Sequence, residues 1–345
     1  MNFRNVSQLS DQVLSWSKKL PRDIDLVVGI PRSGLLAAHL LALYRNLPIA
    51  DLDGFIEGRC LATGSSRSNP LNADGKDFKA SFLQTPRKVL IVDDSARSGA
   101  SIRDARARIE ASEMSMHDIS YGAVYVTPEA TRDLDHYCEI LEVPRVFEWN
   151  ILNHHILEMS CVDMDGVLCH DPLDEDNDDG ARYLRFLENA RPLFVPTYPI
   201  GHIVTSRLES FRGATESWLK QHGIAYGQLI MLNYSDAATR RHLNVHSAHK
   251  ALIYRKTGAK LFIESDIRQA VEIANFSKKD VLCIDSMQLI FPGSLPIGRT
   301  SLSLSKPRRR NIAARVARRI LPAGAKELLR RVGKRPGNFR PNTAG

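Results

Sequence analysis

The chain offers no cysteine pair at redox or metal-binding spacing. Its five cysteines, at positions 60, 138, 161, 169 and 283, are scattered and odd in number. That argues against a disulfide framework or a zinc ribbon and makes a reducing, cytoplasmic compartment the expectation. No apolar run approaches the roughly 20 residues needed to cross a bilayer. The opening residues, Met1 to Gln8, lack the apolar stretch of a secretory signal. Acidic residues are almost missing from one region. From Lys306 onward a single acid, Glu327, stands among thirteen lysines and arginines. That segment therefore carries +12 of a chain whose total is +8, and the remainder is mildly acidic at −4. The basicity belongs to the tail and says nothing about the body.

What is present describes a globular protein. Hydrophobic residues are 43% and charged residues 25% of 345 positions, enough chain for two domains. Apolar strands followed by glycine-containing loops and helices recur along it. The expected fold class is α/β: two parallel-sheet domains, residues 1–150 and 151–300, and a basic helical tail, 301–345.

The most informative stretch is Lys88 to Ser101. Val89 to Val92 has the continuous apolar character of a strand covered on both faces. It ends in Asp93 and Asp94, followed by small residues, Gly99 and a helical pattern carrying Ile102, Ala105 and Ile109. A loop opening into a helix N-terminus presents free N–H groups that hold a phosphate. The two aspartates beside it can accept hydrogen bonds from vicinal hydroxyls or meet a metal through water. This pattern resembles the motif by which type I phosphoribosyltransferases bind phosphoribosyl pyrophosphate (PRPP). The resemblance implies that Asp93 and Asp94 hold the ribose. It gives the 5-phosphate to Ser95, Ser98, Gly99 and Ser101, with Arg97, a departure from the usual loop, as an added charged contact.

A second strand–loop–helix unit precedes it. Asp25 to Ile30 is followed by Pro31-Arg32-Ser33-Gly34 and an apolar helix to about Tyr44, after an opening helix over Ser7 to Lys19. Arg32, Ser33 and Gly34 resemble the family's pyrophosphate loop. Pro48 to Leu52, Ile119 to Val126 and His136 to Leu141 read as further strands. The polar stretch Gly58 to Asp77 is expected to be a lid, with Arg59 and Arg67 as candidates to touch pyrophosphate. Val146 to His155 is expected to be interdomain packing.

Ile156 to Val162 begins another strand, ending in Asp163-Met-Asp165-Gly. Two aspartates one residue apart share a direction, so that one can attack phosphorus while the other handles the leaving-group proton. This resembles motif I of the haloacid dehalogenase (HAD) superfamily, in which Asp163 is the nucleophile and Asp165 the acid/base. Three more segments follow in that family's order. Thr205, after an apolar strand, would bond the phosphoryl group. Lys250, preceding a helix, would offset its charge. Glu264 and Asp266, at another strand end, would hold Mg²⁺ with Asp163 and Asp165. The acid-dense segment Asp171 to Gly180 nearly spells a calcium loop, but Arg185 occupies the position that wants glutamate. A small cap is expected there. His242, His246 and His249 have helical spacing but no fourth ligand for zinc.

In the tail, Ile312, Val316 and Ile320 alternate with arginines. That pattern reads as a basic amphipathic helix at the surface of an anionic membrane, with nucleic acid as the weaker candidate partner. The two resemblances together imply one enzyme with PRPP as donor substrate and Mg²⁺ at both sites. It would be similar to the proteins that add ribofuranose to bacterial surface polysaccharides: phosphoribosyl transfer to a lipid-linked glycan, then removal of the 5-phosphate. A nucleobase acceptor, or a PRPP-sensing regulator that binds nucleic acid, are the alternatives. The expected location is cytoplasmic, peripheral on the membrane's inner face.

Overall fold

The apolar runs become strands because helices cover both of their faces. The computed structural model describes residues 1–61, 82–173, 175–176, 180–233 and 246–295, all within one compact unit that spans Met1–Leu295. The first half runs Asn2–Arg4 (β1), Val6–Ser17 (α1), Leu26–Gly29 (β2), Gly34–Arg45 (α2), Ile49–Asp51 (β3), Leu52–Ile56 (α3), Lys88–Ala96 (β4), Ala100–Glu110 (α4), Asp118–Val126 (β5), His136–Ile140 (β6) and Arg145–Phe147 (β7). Five of these strands form a parallel sheet in the order β3-β2-β4-β5-β6, while β1 and β7 pair separately, also in parallel.

Alternate residues of the sheet enter different cores, as the two-residue strand period requires. Leu26, Val28, Val89 and Ile91 pack with Phe55 of α3 and with Ile102, Ala105 and Ile109 of α4. Val27, Leu90 and Val92 pack instead with Leu9, Val13 and Trp16 of α1 and with Ala37, Ala38 and Leu41 of α2.

The second half runs Ser160–Val162 (β8), Ala181–Asn189 (α5), Ile200–Leu208 (β9), Arg212–Gln221 (α6), Tyr226–Leu232 (β10), His246–Lys256 (α7), Leu261–Glu264 (β11), Ile267–Ser277 (α8), Val281–Cys283 (β12) and Gln288–Ile290 (β13). Its sheet is ordered β10-β9-β8-β11-β12-β13, parallel except for β13. Val162, Ile203 and Ile263 face one core with Trp218 and Leu219 of α6. Cys161, Val204 and Phe262 face the other, with α7 and α8. The mixed α/β class with parallel sheets is thus as expected. Among the described residues, no helix is long and apolar enough to cross a membrane.

Both sheets contain a point where the strand order reverses. The chain leaves β2 for β3 on one side and returns to β4 on the other. It likewise leaves β8 toward β9 and β10, then returns to β11. Loops after the strands at such a point diverge, and a crevice opens beyond their carboxyl ends. Asp93 and Asp94 lie near the end of β4, Asp163 follows β8, and Glu264 closes β11.

Two local expectations are corrected. Only Ser160–Val162 of the run Ile156 to Val162 is strand, and His155–Met159 is a 3₁₀ turn. The His154 ring accepts from the Ile156 N–H at 3.1 Å and starts that turn, which still buries Ile156 and Leu157. A short apolar run does not declare its period. Lys250 lies within α7 rather than ahead of it. Most of the expected lid, including Arg67, lies outside the described residues, as do Asp174, 177–179, His242 and the whole tail from 296.

Candidate active sites

The first site is built from the ends of β2 and β4. Ser33 and Gly34 open α2, with the exposed Arg32 just before, and Gly99 caps the start of α4. The first N–H groups of each helix have no intrahelical acceptor. Gly34 brings the start of α2 against the end of β4, where an added Cβ would stand 2.9 Å from the Val92 carbonyl oxygen and 3.0 Å from the Asp93 carboxylate. Only a residue without a side chain lets α2 approach the end of β4 so closely.

Asp93 and Asp94 are both buried, 7% and 3% exposed, and their four carboxylate oxygens each accept one hydrogen bond from the protein. The Asp94 N–H donates to Asp93 Oδ1 at 2.9 Å, and Ser101 Oγ donates to Asp93 Oδ2 at 2.9 Å. Ser33 Oγ donates to Asp94 Oδ1 at 2.8 Å, and the Trp149 indole N–H donates to Asp94 Oδ2 at 2.8 Å. Each Asp94 oxygen keeps a second lone pair for a ligand. Ser95 remains in β4, paired with Tyr125, while Arg97 and Ser98 are exposed at the loop and the Arg97 carbonyl accepts from Thr127 Oγ1. A cavity of about 370 Å³ beside Arg97 is walled by Thr127, Pro128, Glu129, Glu142 and Val143. Arg59, a candidate from the sequence, is exposed and paired with Glu57.

Burial, then the charge of Asp94, push the Asp93 carboxyl up to about 8. The folded protein therefore holds a proton that an unfolded aspartate releases near 4, so stability falls as pH climbs between those values. Asp93→Asn removes this loss. The variant's melting temperature relative to the parent should rise from pH 5 to pH 8. A difference in melting temperature that stays constant with pH would defeat this.

The second site surrounds Lys250, 2% exposed on α7. Its Nζ donates to Asp163 Oδ2 and to Glu264 Oε2, each at 2.7 Å, and to Gln269 Oε1 at 3.1 Å. Burial acts to lower the Lys250 pKa, but the charges of Asp163 and Glu264 outweigh it and the net shift is upward. One ammonium cannot balance two buried carboxylates. Burial accordingly raises Asp163, with Lys250 opposing and Glu264 and Asp165 adding to the rise. Asp165 points elsewhere: the guanidinium of Arg207 grips it through Nε, at 3.2 and 3.1 Å to the two oxygens, and through Nη2 at 2.5 Å. Gly166 turns the chain directly after Asp165 at φ +76°, where a Cβ would lie 2.2 Å from Ser265 Oγ.

Thr205 is fully buried and its Oγ1 accepts from the Arg207 N–H at 3.2 Å, whereas the next residue, Ser206, borders the cavity. Glu264 Oε1 also accepts from the N–H groups of Ser265 and Asp266. Asp266 caps α8, its Oδ1 accepting from Arg268 and Gln269. The cavity, about 230 Å³, is bordered by Asp163, Asp165, Asp171, Glu264 and Asp266 with Lys250. Five carboxylates facing one ammonium are the oxygen donors that a hard divalent cation takes. Among the described residues no group of three or more is already arranged to hold a metal, and Arg207 pairs with Asp165 while Lys250 pairs with Asp163 and Glu264.

Sequence reasoning missed Trp149, Arg207, Asp171 and Gln269. Arg207 stands two residues after Thr205 on β9, so strand alternation returns its side chain to the same face, a usable signal. Trp149 gave none, since its partner is 55 positions away.

No family model and no curated protein sequence matches the chain. Among solved structures the chain is similar to a purine phosphoribosyltransferase from Pyrococcus horikoshii, at 17% identity and a TM-score of 0.30, over 43% of this chain and 92% of that one. It is also similar to the xanthine-guanine-hypoxanthine phosphoribosyltransferase of Helicobacter pylori, at 12% identity and a TM-score of 0.32, over 44% and 92%. A Neisseria gonorrhoeae protein with bound ppGpp aligns at 13% identity and a TM-score of 0.30, over 44% and 90%.

Proposed function

We propose that the chain transfers a phosphoribosyl group from PRPP to an acceptor and then hydrolyses the 5-phosphate from the product. The observation that carries this reading is the placement of two acidic motifs, Asp93-Asp94 and Asp163-x-Asp165, at the strand-order reversals of two parallel sheets. Each stands beside the partners its chemistry needs. In the first site Asp93 and Asp94 accept the ribose hydroxyls. The segment Ser95 to Ser101, from the end of β4 to the first turn of α4, receives the 5-phosphate, and Arg32, Ser33 and Gly34 receive the pyrophosphate. The bond from C1 to pyrophosphate breaks with its electron pair on the leaving group. The acceptor's oxygen bonds to the opposite face, giving a β-linked product and releasing its proton to solvent. The protein's contribution is positioning and charge stabilisation of the departing pyrophosphate.

In the second site Asp163 attacks the phosphorus of the 5-phosphate, and Asp165 protonates the leaving ribose oxygen. Asp165 then takes a proton from the water that frees inorganic phosphate. Lys250 holds the nucleophile Asp163 by one hydrogen bond while donating another to Glu264. Asp163, Asp165, Glu264 and Asp266 would hold Mg²⁺, which supplies charge neutralisation to the phosphoryl group. Removing the phosphate makes the overall transfer hard to reverse.

A hydroxylated acceptor such as a lipid-linked glycan suits the cavity beside Arg97, whose walls carry carboxylates and a hydroxyl and no aromatic ring. The +12 tail supports an anionic membrane surface as partner. A nucleobase acceptor is the second reading, favoured by the half-buried indole ring of Trp149 beside Asp94. The test is incubation with PRPP and Mg²⁺ against lipid-linked glycans and free bases. The parent protein should release pyrophosphate and phosphate. Asp163→Asn should release pyrophosphate and accumulate a phosphorylated ribosyl product. No pyrophosphate with any acceptor would sink the transferase reading, and undiminished phosphate from Asp163→Asn would sink the phosphatase reading.

A further inference from the structure

The geometry points to Trp149 as a positioning residue that holds Asp94 in the plane needed to receive a vicinal diol. This rests on the transferase reading above. An aspartate's terminal torsion is broad and roughly two-fold, so an unrestrained carboxylate sweeps its lone pairs through a wide arc. Asp94 is restrained at both oxygens, by Ser33 Oγ on Oδ1 and by the Trp149 indole N–H on Oδ2, each at 2.8 Å. The two donors come from opposite ends of the fold's first half. Ser33 opens α2, and Trp149 follows β7 in the segment that leads toward the second sheet.

The indole is itself fixed. It stacks on Phe147 with ring centroids 4.8 Å apart and planes 13° from parallel, and Phe147 stacks in turn on the buried Tyr125 at 5.4 Å. Two residues later Ile151, 1% exposed, is anchored in a core of the second sheet. Trp149 therefore has little freedom to leave Asp94. A purely structural tryptophan would need the stack alone. The N–H aimed at a carboxylate only 3% exposed is an additional, directional function.

The experiment compares pyrophosphate release by the parent, Trp149→Phe, Asp94→Asn and the double variant in the full-length protein. Phenylalanine keeps a ring in the stack and deletes the donor. A hydrogen bond to a charged group is worth enough for a rise in KM for PRPP of about tenfold or more, with kcat changed much less. In the Asp94→Asn background the same substitution should add less than about twofold, because its effect passes through the carboxylate. In the parent, the Trp149 indole proton resonance should move on addition of PRPP while those of Trp16 and Trp218 stay in place. This last reading needs no variant to fold. An unchanged KM in a folded Trp149→Phe, losses that multiply in the double variant, or an unmoved Trp149 resonance would each overturn the assignment while leaving the transferase reading intact. Absence of pyrophosphate release from the parent would overturn both.

Discussion

Lys250→Met should remove about 3–5 kcal/mol of stability near neutral pH, the usual cost of breaking a buried ion pair from one side. Methionine matches the length and volume of the lysine stem but offers no charge to Asp163 and Glu264, both 5% exposed or less. The loss should depend on pH with a definite sign. Without the ammonium, burial raises the Asp163 carboxyl unopposed and the folded state holds its proton more tightly than the unfolded chain does, so stability is recovered as pH falls. Melting temperatures at pH 8 and pH 5 check this. The deficit should shrink at pH 5, and an equal deficit at both would show that the side chain was needed for packing instead. On the proposed phosphatase reading, phosphate release should fall by on the order of 10²–10³, the usual loss when a charge-stabilising group is deleted from an active site.

Asp165→Asn should also destabilise, whereas the isosteric Asp163→Asn should be nearly neutral or stabilising at pH 7. The two aspartates are separated by one residue and have opposite electrostatic roles. Asp165 is the counter-ion of Arg207, which is 1% exposed, and removing its charge leaves a buried guanidinium uncompensated at a cost of about 3–5 kcal/mol. Asp163 shares one ammonium with Glu264, and removing its charge leaves a balanced pair. On the proposed phosphatase reading, both variants should lose phosphate release. Denaturant midpoints at pH 7 decide the matter: equal midpoints, or a lower one for Asp163→Asn, would contradict this division of charge.

The acidic motifs were legible because their information is local. Val89 to Asp94 announces a strand within six letters, although β4 runs on to Ala96, and Asp163 to Gly166 marks within four the turn that follows β8. The glycine of the second motif is dictated by a turn at φ +76° against Ser265, a need that the sequence expresses through residue type alone. Where local patterns were ambiguous, the reading slipped. Ile156 and Leu157 are as apolar as any strand residue, yet they enter the core from a 3₁₀ turn that His154 initiates. Thr205 and Ser206 are adjacent hydroxyls with no difference in pattern, and only the pitch of β9 decides which borders the cavity.

The sequence by itself determined the α/β class, the positions of both acidic strand ends and the isolation of positive charge in the tail. Each of these follows from periodicity and composition along a few consecutive residues. Tertiary structure alone decided that Trp149 and Ser33 clasp Asp94 from both sides, that Lys250 is shared by two carboxylates, and that Arg207 belongs to Asp165. Those pairings join residues 14 to 87 positions apart. They exist because parallel sheets return distant strand ends to a common crevice, where burial makes every uncompensated charge find a partner.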